Sequence, residues 1–245
     1  MIDLSRYNKK QLGKLFDYSV LPKNSTENDI RGACREAVRY NCAAFYTASP
    51  FWSEIVREEL AGTDILVGTG IDFPFGVSPL RVKAAELEYA MEVGCTCVDL
   101  VLNIGALKSG KLDAVREELR EFTSIASSAL TKVILEVCFL TNDEIATACR
   151  LIAETGAAYA KTSTGQFEGP DMSQFLLMKK TLADTNVKLK IAGVKFPRPQ
   201  NAYAFLLAGA DLIGTRAAPE IIDAIDQMRA IGLVPPLTET TSVTG

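Results

Sequence analysis

The chain of 245 residues contains no histidine. This absence excludes a Ser-His or Cys-His nucleophile, a histidine general base and the usual histidine-ligated zinc or iron centre. Aspartate and glutamate show no cluster at metal-ligand spacing either, so we expect no metal and no other cofactor. Any catalysis must therefore come from Lys, Asp, Glu, Tyr or Cys side chains.

Other absences limit the partners and the compartment. No run of about 18 or more apolar residues is present, and the N-terminus lacks the apolar stretch of a signal peptide. The formal net charge of -4 gives no reason to expect nucleic acid, because binding to a phosphate backbone needs clustered positive charge. We therefore expect a cytoplasmic protein that binds a small molecule, and neither nucleic acid nor a membrane.

The cysteines form no CxxC pair. All six lie within apolar periodic segments, at Cys34, Cys42, Cys95, Cys97, Cys138 and Cys149. This placement favours reduced thiols packed in a core over disulfides or a zinc knuckle.

Short apolar segments rich in β-branched or aromatic residues alternate with segments of helical periodicity. The predicted strands cover residues 15–21, 42–48, 64–71, 96–104, 132–139, 157–165, 187–193 and 210–216. This succession of βα units is typical of a (β/α)8 TIM barrel. A doubly wound open sheet is the alternative, but no G-x-G-x-x-G motif follows the first strand.

The chain is predicted to fold as one domain. No Pro- or Gly-rich linker and no change of composition divides residues 1–233, which we assign to the barrel. Residues 3–15 are predicted to form an extra helix ahead of the first strand. Residues 234–245, two prolines followed by small polar residues, are predicted to form a mobile tail.

Alternation along the strands assigns polar side chains to the interior of the barrel. The inward sets are Asp17 and Ser19, Asp99 and Asn103, Tyr159, Lys161 and Ser163, and Lys188 and Lys190. Four of these charges, on Asp17, Asp99, Lys161 and Lys190, lie late in their strands, where active sites of this fold are found. Burying an unpaired charge costs several kcal/mol, so charges of mixed sign in one interior indicate pairing or a polar cavity used for chemistry.

With these residues in place, the sequence resembles the deoxyribose-phosphate aldolases, class I aldolases of the TIM-barrel type. The resemblance covers most of the chain and is strongest in "VDLVLNIGALKSG" (98–110), "KVILEVCFLTNDEI" (132–145) and "AAYAKTSTG" (157–165). It implies that Lys161 forms the Schiff base, that Lys190 tunes it and that Asp99 relays protons. Asp17 corresponds to a further carboxylate on the first strand of the family.

Physical chemistry makes the two lysines a sensible pair. An amine attacks a carbonyl only when it is unprotonated, and an ordinary lysine is almost wholly protonated at neutral pH. A second ammonium group nearby, together with desolvation, disfavours the charged form of Lys161. The cationic imine that follows would withdraw electrons and permit C–C cleavage without a metal.

The substrate phosphate is expected at the loops after the last two strands. Substrate contacts are assigned to Thr47, Ser163, Gly165, Gly193, Gly214, Thr215 and Arg216. Val194 replaces the second of two glycines usual in the family, and Arg216-Ala217 replaces a usual Ser-Ser pair. Arg216, helped by Lys195 and Arg198, is expected to replace the lost hydroxyl donors.

Further departures from the family fall elsewhere in the chain. Tyr18 stands where a histidine is usual, Thr47 where a cysteine is common, and Asp72 where glycine is typical. We interpret these departures, with those at the phosphate loops, as an altered pocket.

The leading hypothesis is reversible cleavage of 2-deoxy-D-ribose 5-phosphate to acetaldehyde and D-glyceraldehyde 3-phosphate. One alternative is the same chemistry on another phosphorylated, sulfonated or carboxylated sugar. A second is a phosphosugar isomerase with Asp99 as base, and a third is a non-catalytic sugar-phosphate binder. The sequence leaves open whether the chain forms a homo-oligomer.

Overall fold

The computed structural model describes residues 2–238, in which eight parallel strands close into a barrel in chain order. The strands are β1 Phe16–Val20, β2 Ala44–Thr47, β3 Leu66–Ile71, β4 Cys97–Val101, β5 Leu130–Ile134, β6 Tyr159–Lys161, β7 Lys188–Ala192 and β8 Leu212–Thr215. Closure is made by β1, which pairs with both β2 and β8. The predicted TIM barrel is confirmed, and the open-sheet alternative is wrong.

Helices connect the strands and cover the barrel. They are α1 Lys9–Leu12, α2 Glu27–Arg39, α3 Ser53–Glu59, α4 Leu80–Glu92, α5 Ile104–Lys108, α6 Leu112–Ile125, α7 Asn142–Thr155, α8 Met172–Thr181, α9 Arg198–Ala208, α10 Ala218–Asp223 and α11 Ile225–Ala230. Single 3-10 turns lie at Leu4–Arg6, Gly13–Leu15, Pro50–Trp52 and Val137–Phe139. No helix within residues 2–238 combines the length and the apolar character needed to cross a bilayer.

Local sequence explains where the longer helices begin and end. Thr26 caps α2, Thr141 caps α7 and Asp171 caps α8, each by a reciprocal capping box with the third helical residue. Such caps satisfy backbone N–H groups that a helix leaves unpaired. After α7, Gly156 takes a positive φ of 80°, a conformation that favours glycine and ends the helix.

The main hydrophobic core lies between the barrel and its helices. Its strand contributions include Phe16, Phe45, Val98 and Ile191, all with 0% exposure. These residues alternate with the polar side chains that face the interior of the barrel, so one period-two pattern supplies both the core and the polar centre. The six cysteines are unpaired, and five of them are buried.

Several segments differ from the prediction. The fourth and sixth strands end at Val101 and Lys161, before their predicted ends at residues 104 and 165. Residues 3–15 form three short helical pieces, because Asn8 starts a new turn by capping α1 and Gly13 begins another. The fifth strand ends at Ile134, five residues early, since Glu136 has a positive φ of 52° that breaks the extended chain.

The predicted tail begins at residue 234, but the folded body continues past that point. Val234 is 1% exposed, and the backbone N–H of Thr238 donates to the carbonyl of Ser5 at 2.9 Å. These contacts join the end of the described chain to its beginning. Residues 239–245 of the predicted tail lie outside the described residues.

Candidate active site

Two lysines meet at the carboxyl ends of adjacent strands. Lys161 ends β6 and Lys190 lies in β7, and the parallel register places their Cα atoms opposite each other. Both side chains enter the barrel, where Lys161 is 7% exposed and Lys190 is 1% exposed. The structure thus places both lysines where strand alternation put them.

One carboxylate contacts both ammonium groups. Oδ2 of Asp99 lies 2.7 Å from Lys161 Nζ and 2.8 Å from Lys190 Nζ, and accepts a hydrogen bond from each. Asp17 supplies a second carboxylate, with its Oδ2 2.7 Å from Lys190 Nζ. The structure therefore brings together the four charges that the sequence assigned to the interior.

A third lysine extends this cluster one layer deeper into the barrel. Lys132 is fully buried and lies in register with Asp99. Its Nζ donates to the Tyr46 hydroxyl at 2.7 Å and to Cys97 Sγ at 2.6 Å. It also lies 3.4 Å from Asp17 Oδ2. Three lysines and two aspartates therefore share one polar centre.

Charge pairing outweighs burial at three of these groups. Burial raises the pKa of Asp99, but Lys161, Lys190 and Lys132 together hold it well below its usual range. For Asp17, the charges of Lys132 and Lys190 likewise outweigh burial and lower the pKa. Burial lowers the pKa of Lys132, but Asp17 and its other neighbours raise it above the ordinary value. Both aspartates and Lys132 are therefore charged at neutral pH.

At Lys161, burial outweighs the pairing with Asp99. Burial lowers its pKa, Asp99 opposes that shift and Lys190 supports it, so the pKa of Lys161 falls to about 8. An ordinary lysine has a pKa of about 10.4. A pKa near 8 leaves a useful fraction of neutral amine at neutral pH, which is what nucleophilic attack on a carbonyl requires.

A cavity of about 240 Å³ opens above the cluster at the carboxyl ends of the strands. Asp17, Asp99, Lys161 and Lys190 form its floor. Its walls and mouth include Ser19, Thr47, Gly70, Phe73, Thr164, Gly165, Gln166, Gly193, Val194, Arg198, Gly214, Thr215 and Arg216. This is the end of the barrel at which enzymes of this fold bind their substrates.

The three glycines assigned to substrate binding all line the cavity, but for different physical reasons. Gly165 and Gly193 have positive φ values of 79° and 75°, and a Cβ on Gly165 would lie 3.7 Å from the backbone of Gly193. Their loops therefore meet through bare backbone. At Gly214, a Cβ would lie 2.8 Å from Lys190 Cε. Glycine at that position makes room for the lysine.

The two predicted hydroxyl contacts are less available than the sequence implied. Thr47 lines the cavity, but its hydroxyl donates to the carbonyl of Ser49 at 2.9 Å. Ser163 is fully buried behind the cavity wall, close to Gly193, and its neighbour Thr164 takes the place on the wall. Within residues 2–238, the Ser163 hydroxyl has no hydrogen-bond partner.

Arginines occupy the mouth. Arg216 is exposed and lines the cavity together with Thr215, directly after β8. Arg198, at the start of α9, lines it as well, and its guanidinium carbon lies 4.0 Å from the centroid of the Phe196 ring. Guanidinium groups bind phosphate or carboxylate in two-pronged fashion. Lys195, the third cation named from the sequence, pairs with Glu168 at 2.8 Å instead.

Strand alternation predicted that Asn103 and Lys188 face the interior of the barrel, and for both residues this prediction is wrong. Asn103 lies beyond the end of β4, and its side chain caps α5 by accepting from the backbone N–H of Ala106. Lys188 begins β7 at the opposite end of the barrel, where it is exposed. A residue at the end of a strand can lie outside the barrel interior even when alternation assigns it to the inward-facing set.

Several residues of the site were not predicted from the sequence. They include Gly70, Phe73, Thr164 and Gln166 of the cavity wall, and four residues that support the floor or the loop after Lys161. Lys132, Tyr46 and Cys97 surround the floor, and Glu136 accepts hydrogen bonds from the backbone and side chain of Thr164. Strand alternation could have placed Cys97 in the interior, because it is two residues before Asp99 in the same strand. Nothing in the sequence pattern shows that Glu136, two residues past β5, turns back to hold the loop after Lys161.

Two departures from the family pattern lie away from the cavity, which corrects their interpretation as changes to the pocket. The Tyr18 hydroxyl donates to Glu36 on α2 at 2.7 Å. Asp72 has a positive φ of 52°, and its carboxylate accepts from the backbone and side chain of Ser78. Thr47, Val194 and Arg216 are the departures that reach the cavity.

Comparison with known proteins agrees with this geometry. The model of the DeoC/LacD family aldolases matches residues 12–197. A deoxyribose-phosphate aldolase from Brevibacillus brevis is 39% identical over 86% of this chain and 95% of its own length. One from Methanothermobacter thermautotrophicus is 38% identical over 91% of this chain and 99% of its own length.

A solved structure is similar over the same extent. The deoxyribose phosphate aldolase from Aeropyrum pernix, described as having a unique tetrameric structure, superposes with a TM-score of 0.82 at 26% sequence identity. The match covers 92% of this chain and 95% of that one.

Proposed function

The chain belongs to the DeoC/LacD family of aldolases, and on that premise we propose that it cleaves 2-deoxy-D-ribose 5-phosphate reversibly to acetaldehyde and D-glyceraldehyde 3-phosphate. It is a class I aldolase, a carbon–carbon lyase. The observation that carries the assignment of residues is the buried Lys161, with a pKa near 8, beside a second lysine and an ionised aspartate. Its six unpaired cysteines favour a reducing compartment such as the cytoplasm.

Lys161 is the nucleophile in this mechanism. Its neutral amine attacks the aldehyde carbon of the open-chain sugar, and loss of water from the carbinolamine gives a protonated imine. The positive imine nitrogen accepts the electron pair released when the bond between the second and third sugar carbons breaks. D-Glyceraldehyde 3-phosphate leaves, and an enamine of the two remaining carbons stays attached to Lys161.

Asp99 handles the protons. Its carboxylate is ionised and 2.7 Å from Lys161 Nζ, so it can accept the proton that the amine loses on attack and return it for the departure of water. The same group, directly or through a water molecule, can take the proton of the sugar hydroxyl that becomes the new carbonyl. Protonation of the enamine carbon and hydrolysis of the imine then release acetaldehyde.

The other two charges of the floor support these steps. Lys190 lowers the pKa of Lys161 by charge repulsion. Asp17 lies 2.7 Å from Lys190 Nζ and holds that ammonium group in the floor. At the mouth, Arg216 and Arg198 are the groups suited to the phosphate, and the backbone of Gly165 and Gly193 lines the same cavity.

The proposal is tested by retro-aldol turnover on a substrate panel. The panel contains 2-deoxy-D-ribose 5-phosphate, the sugar without phosphate, and the sugar with a carboxylate or a sulfonate in place of phosphate. We expect the highest kcat/KM for the phosphate, and no turnover by a Lys161→Arg control prepared in the same way. A higher kcat/KM for the carboxylated or sulfonated sugar would favour the same chemistry on another substrate.

A further inference from the structure

An aromatic side chain lies in the charged floor. Tyr46, in β2, lines the cavity with 4% exposure and lies opposite Gly68 of β3 in the strand register. A Cβ at Gly68 would lie 2.7 Å from the Tyr46 ring. Glycine at position 68 of the neighbouring strand therefore leaves the space that the Tyr46 ring occupies.

The Tyr46 hydroxyl connects a lysine to an aspartate. It donates to Asp99 Oδ1 at 2.7 Å and accepts from Lys132 Nζ at 2.7 Å. The same hydroxyl contacts Cys97 Sγ, and burial raises the pKa of Cys97, so that thiol keeps its proton. The protonation states of Lys132, Tyr46 and Asp99 allow one direction for the chain of hydrogen bonds that joins them. Burial and the charge of Asp99 raise the pKa of Tyr46 well above its ordinary value, so the phenol keeps its proton. Lys132 is charged and can only donate, and Asp99 is ionised and can only accept.

This arrangement divides the two oxygens of Asp99 between different partners. Oδ2 accepts from Lys161 and Lys190, whereas Oδ1 accepts from Tyr46. When Lys161 becomes a protonated imine, its nitrogen keeps one N–H in place of the three of an ammonium group, so its interaction with Oδ2 is weakened. The bond from Tyr46 to Oδ1 does not depend on the state of Lys161, so it can keep the carboxylate in place through the covalent stages.

We infer that Tyr46 is a positioning residue, whose hydroxyl holds Asp99 in the orientation that proton transfer requires and shares its negative charge. This inference rests on the proposed roles of Lys161 and Asp99. The ring has a separate part, because Lys190 Nζ lies 4.1 Å from its centroid. Replacement by phenylalanine keeps the ring beside Lys190 and removes only the hydroxyl.

Tyr46→Phe is expected to lower kcat by roughly 10- to 100-fold, a part of what a positioned acid–base group contributes, with a much smaller change in KM. Its effect on the pH profile has a definite sign. Without the tyrosine proton, the Asp99 charge acts more strongly on the Lys161 ammonium, which raises the pKa of Lys161. The acidic limb of kcat/KM should therefore move to higher pH.

Tyr159→Phe is the matched control. Tyr159 also faces the interior, is 7% exposed and has its ring 5.4 Å from Lys132 Nζ. Within residues 2–238, the Tyr159 hydroxyl makes no hydrogen bond to another side chain. We expect Tyr159→Phe to keep the kcat and the pH profile of the unmodified enzyme.

Incorporation of 3-fluorotyrosine at position 46 tests the same point in a protein whose shape is preserved. The fluorinated phenol is a stronger donor, so it should draw more of the Asp99 charge and move the acidic limb to lower pH, opposite to Tyr46→Phe. An unchanged kcat and pH profile for Tyr46→Phe would overturn the inference. If that variant does not fold, an unmoved limb in the fluorotyrosine enzyme would do so. Failure of borohydride to trap substrate on Lys161 of the unmodified enzyme would instead reject the proposed function.

Discussion

The floor and the mouth of the cavity are built on different principles. In the floor, the side chains of Lys161, Lys190 and Asp99 are at most 8% exposed, and both lysines contact Asp99, at 2.7 and 2.8 Å. At the mouth, Arg216 is exposed to solvent, after its strand has ended. We therefore expect a change in the floor to alter several pKa values at once, and a change at the mouth to alter one contact to the substrate. On this proposal, chemistry and substrate recognition are separable in this molecule.

The largest expected effect comes from the floor. Lys161→Met should abolish turnover, a loss on the order of 10⁴-fold or more, because no other group supplies the nucleophile. The same change should raise the free energy of unfolding at pH 7. A pKa of about 8 instead of the ordinary value means that the folded protein disfavours the charged lysine, by about 3 kcal/mol.

The gain in stability expected for Lys161→Met depends on pH. Below pH 8, Lys161 is protonated in the folded and the unfolded protein, and the full penalty applies. Between about 8 and 10.4 the unfolded chain binds more protons, so the stability of the unmodified protein rises with pH and the advantage of Lys161→Met shrinks. Urea unfolding at pH 7 and pH 10 measures this. Lys161→Arg keeps the charge and should show no gain; a Met variant less stable than the Arg variant at pH 7 would contradict the account.

Lys190→Leu should have the next largest effect. It removes a positive charge that lowers the pKa of Lys161, so the acidic limb of kcat/KM should move to higher pH by roughly one unit, or about 1.4 kcal/mol. Lys188→Leu is the control, since Lys188 belongs to the same strand but is exposed at the other end of the barrel. A Lys190→Leu profile that superimposes on the unmodified one after scaling would remove the tuning role.

The difference between floor and mouth also explains what could be predicted from the sequence. Asp17, Asp99, Lys161 and Lys190 lie within strands, where period-two alternation determines which way a side chain points. Asn103 lies just past a strand, where that rule no longer applies, and it caps a helix instead. Arg216 likewise lies just past a strand, because β8 ends at Thr215, and its side chain lines the cavity.

Contacts between distant strands were not predictable in this way. The link from Lys132 through Tyr46 to Asp99 joins β5, β2 and β4, and it depends on how far each strand is offset from the next around the barrel. Alternation shows on which side of a strand a side chain lies, but not its position along the barrel axis relative to side chains of other strands. The deep layer of the floor was missed for that reason.

The smallest expected effect belongs to the mouth. Arg216→Ser should raise KM for the phosphorylated sugar with a lesser effect on kcat, since a contact remote from the reacting carbons supports the bound substrate and the transition state alike. Lys195→Ser is the control, because Lys195 is a nearby cation paired with Glu168. A KM equal to that of the unmodified enzyme would show that Arg216 has no part in binding the phosphate.

Covalent attachment of the substrate to Lys161 is the step on which the proposed function depends. Incubation with 2-deoxy-D-ribose 5-phosphate and sodium borohydride reduces the imine to a stable secondary amine, and peptide mass analysis then locates it. We expect one adduct, on the peptide that contains Lys161, and none in Lys161→Arg. An adduct on Lys190 or Lys132 with Lys161 unmodified, or turnover with no trapped adduct at all, would contradict it.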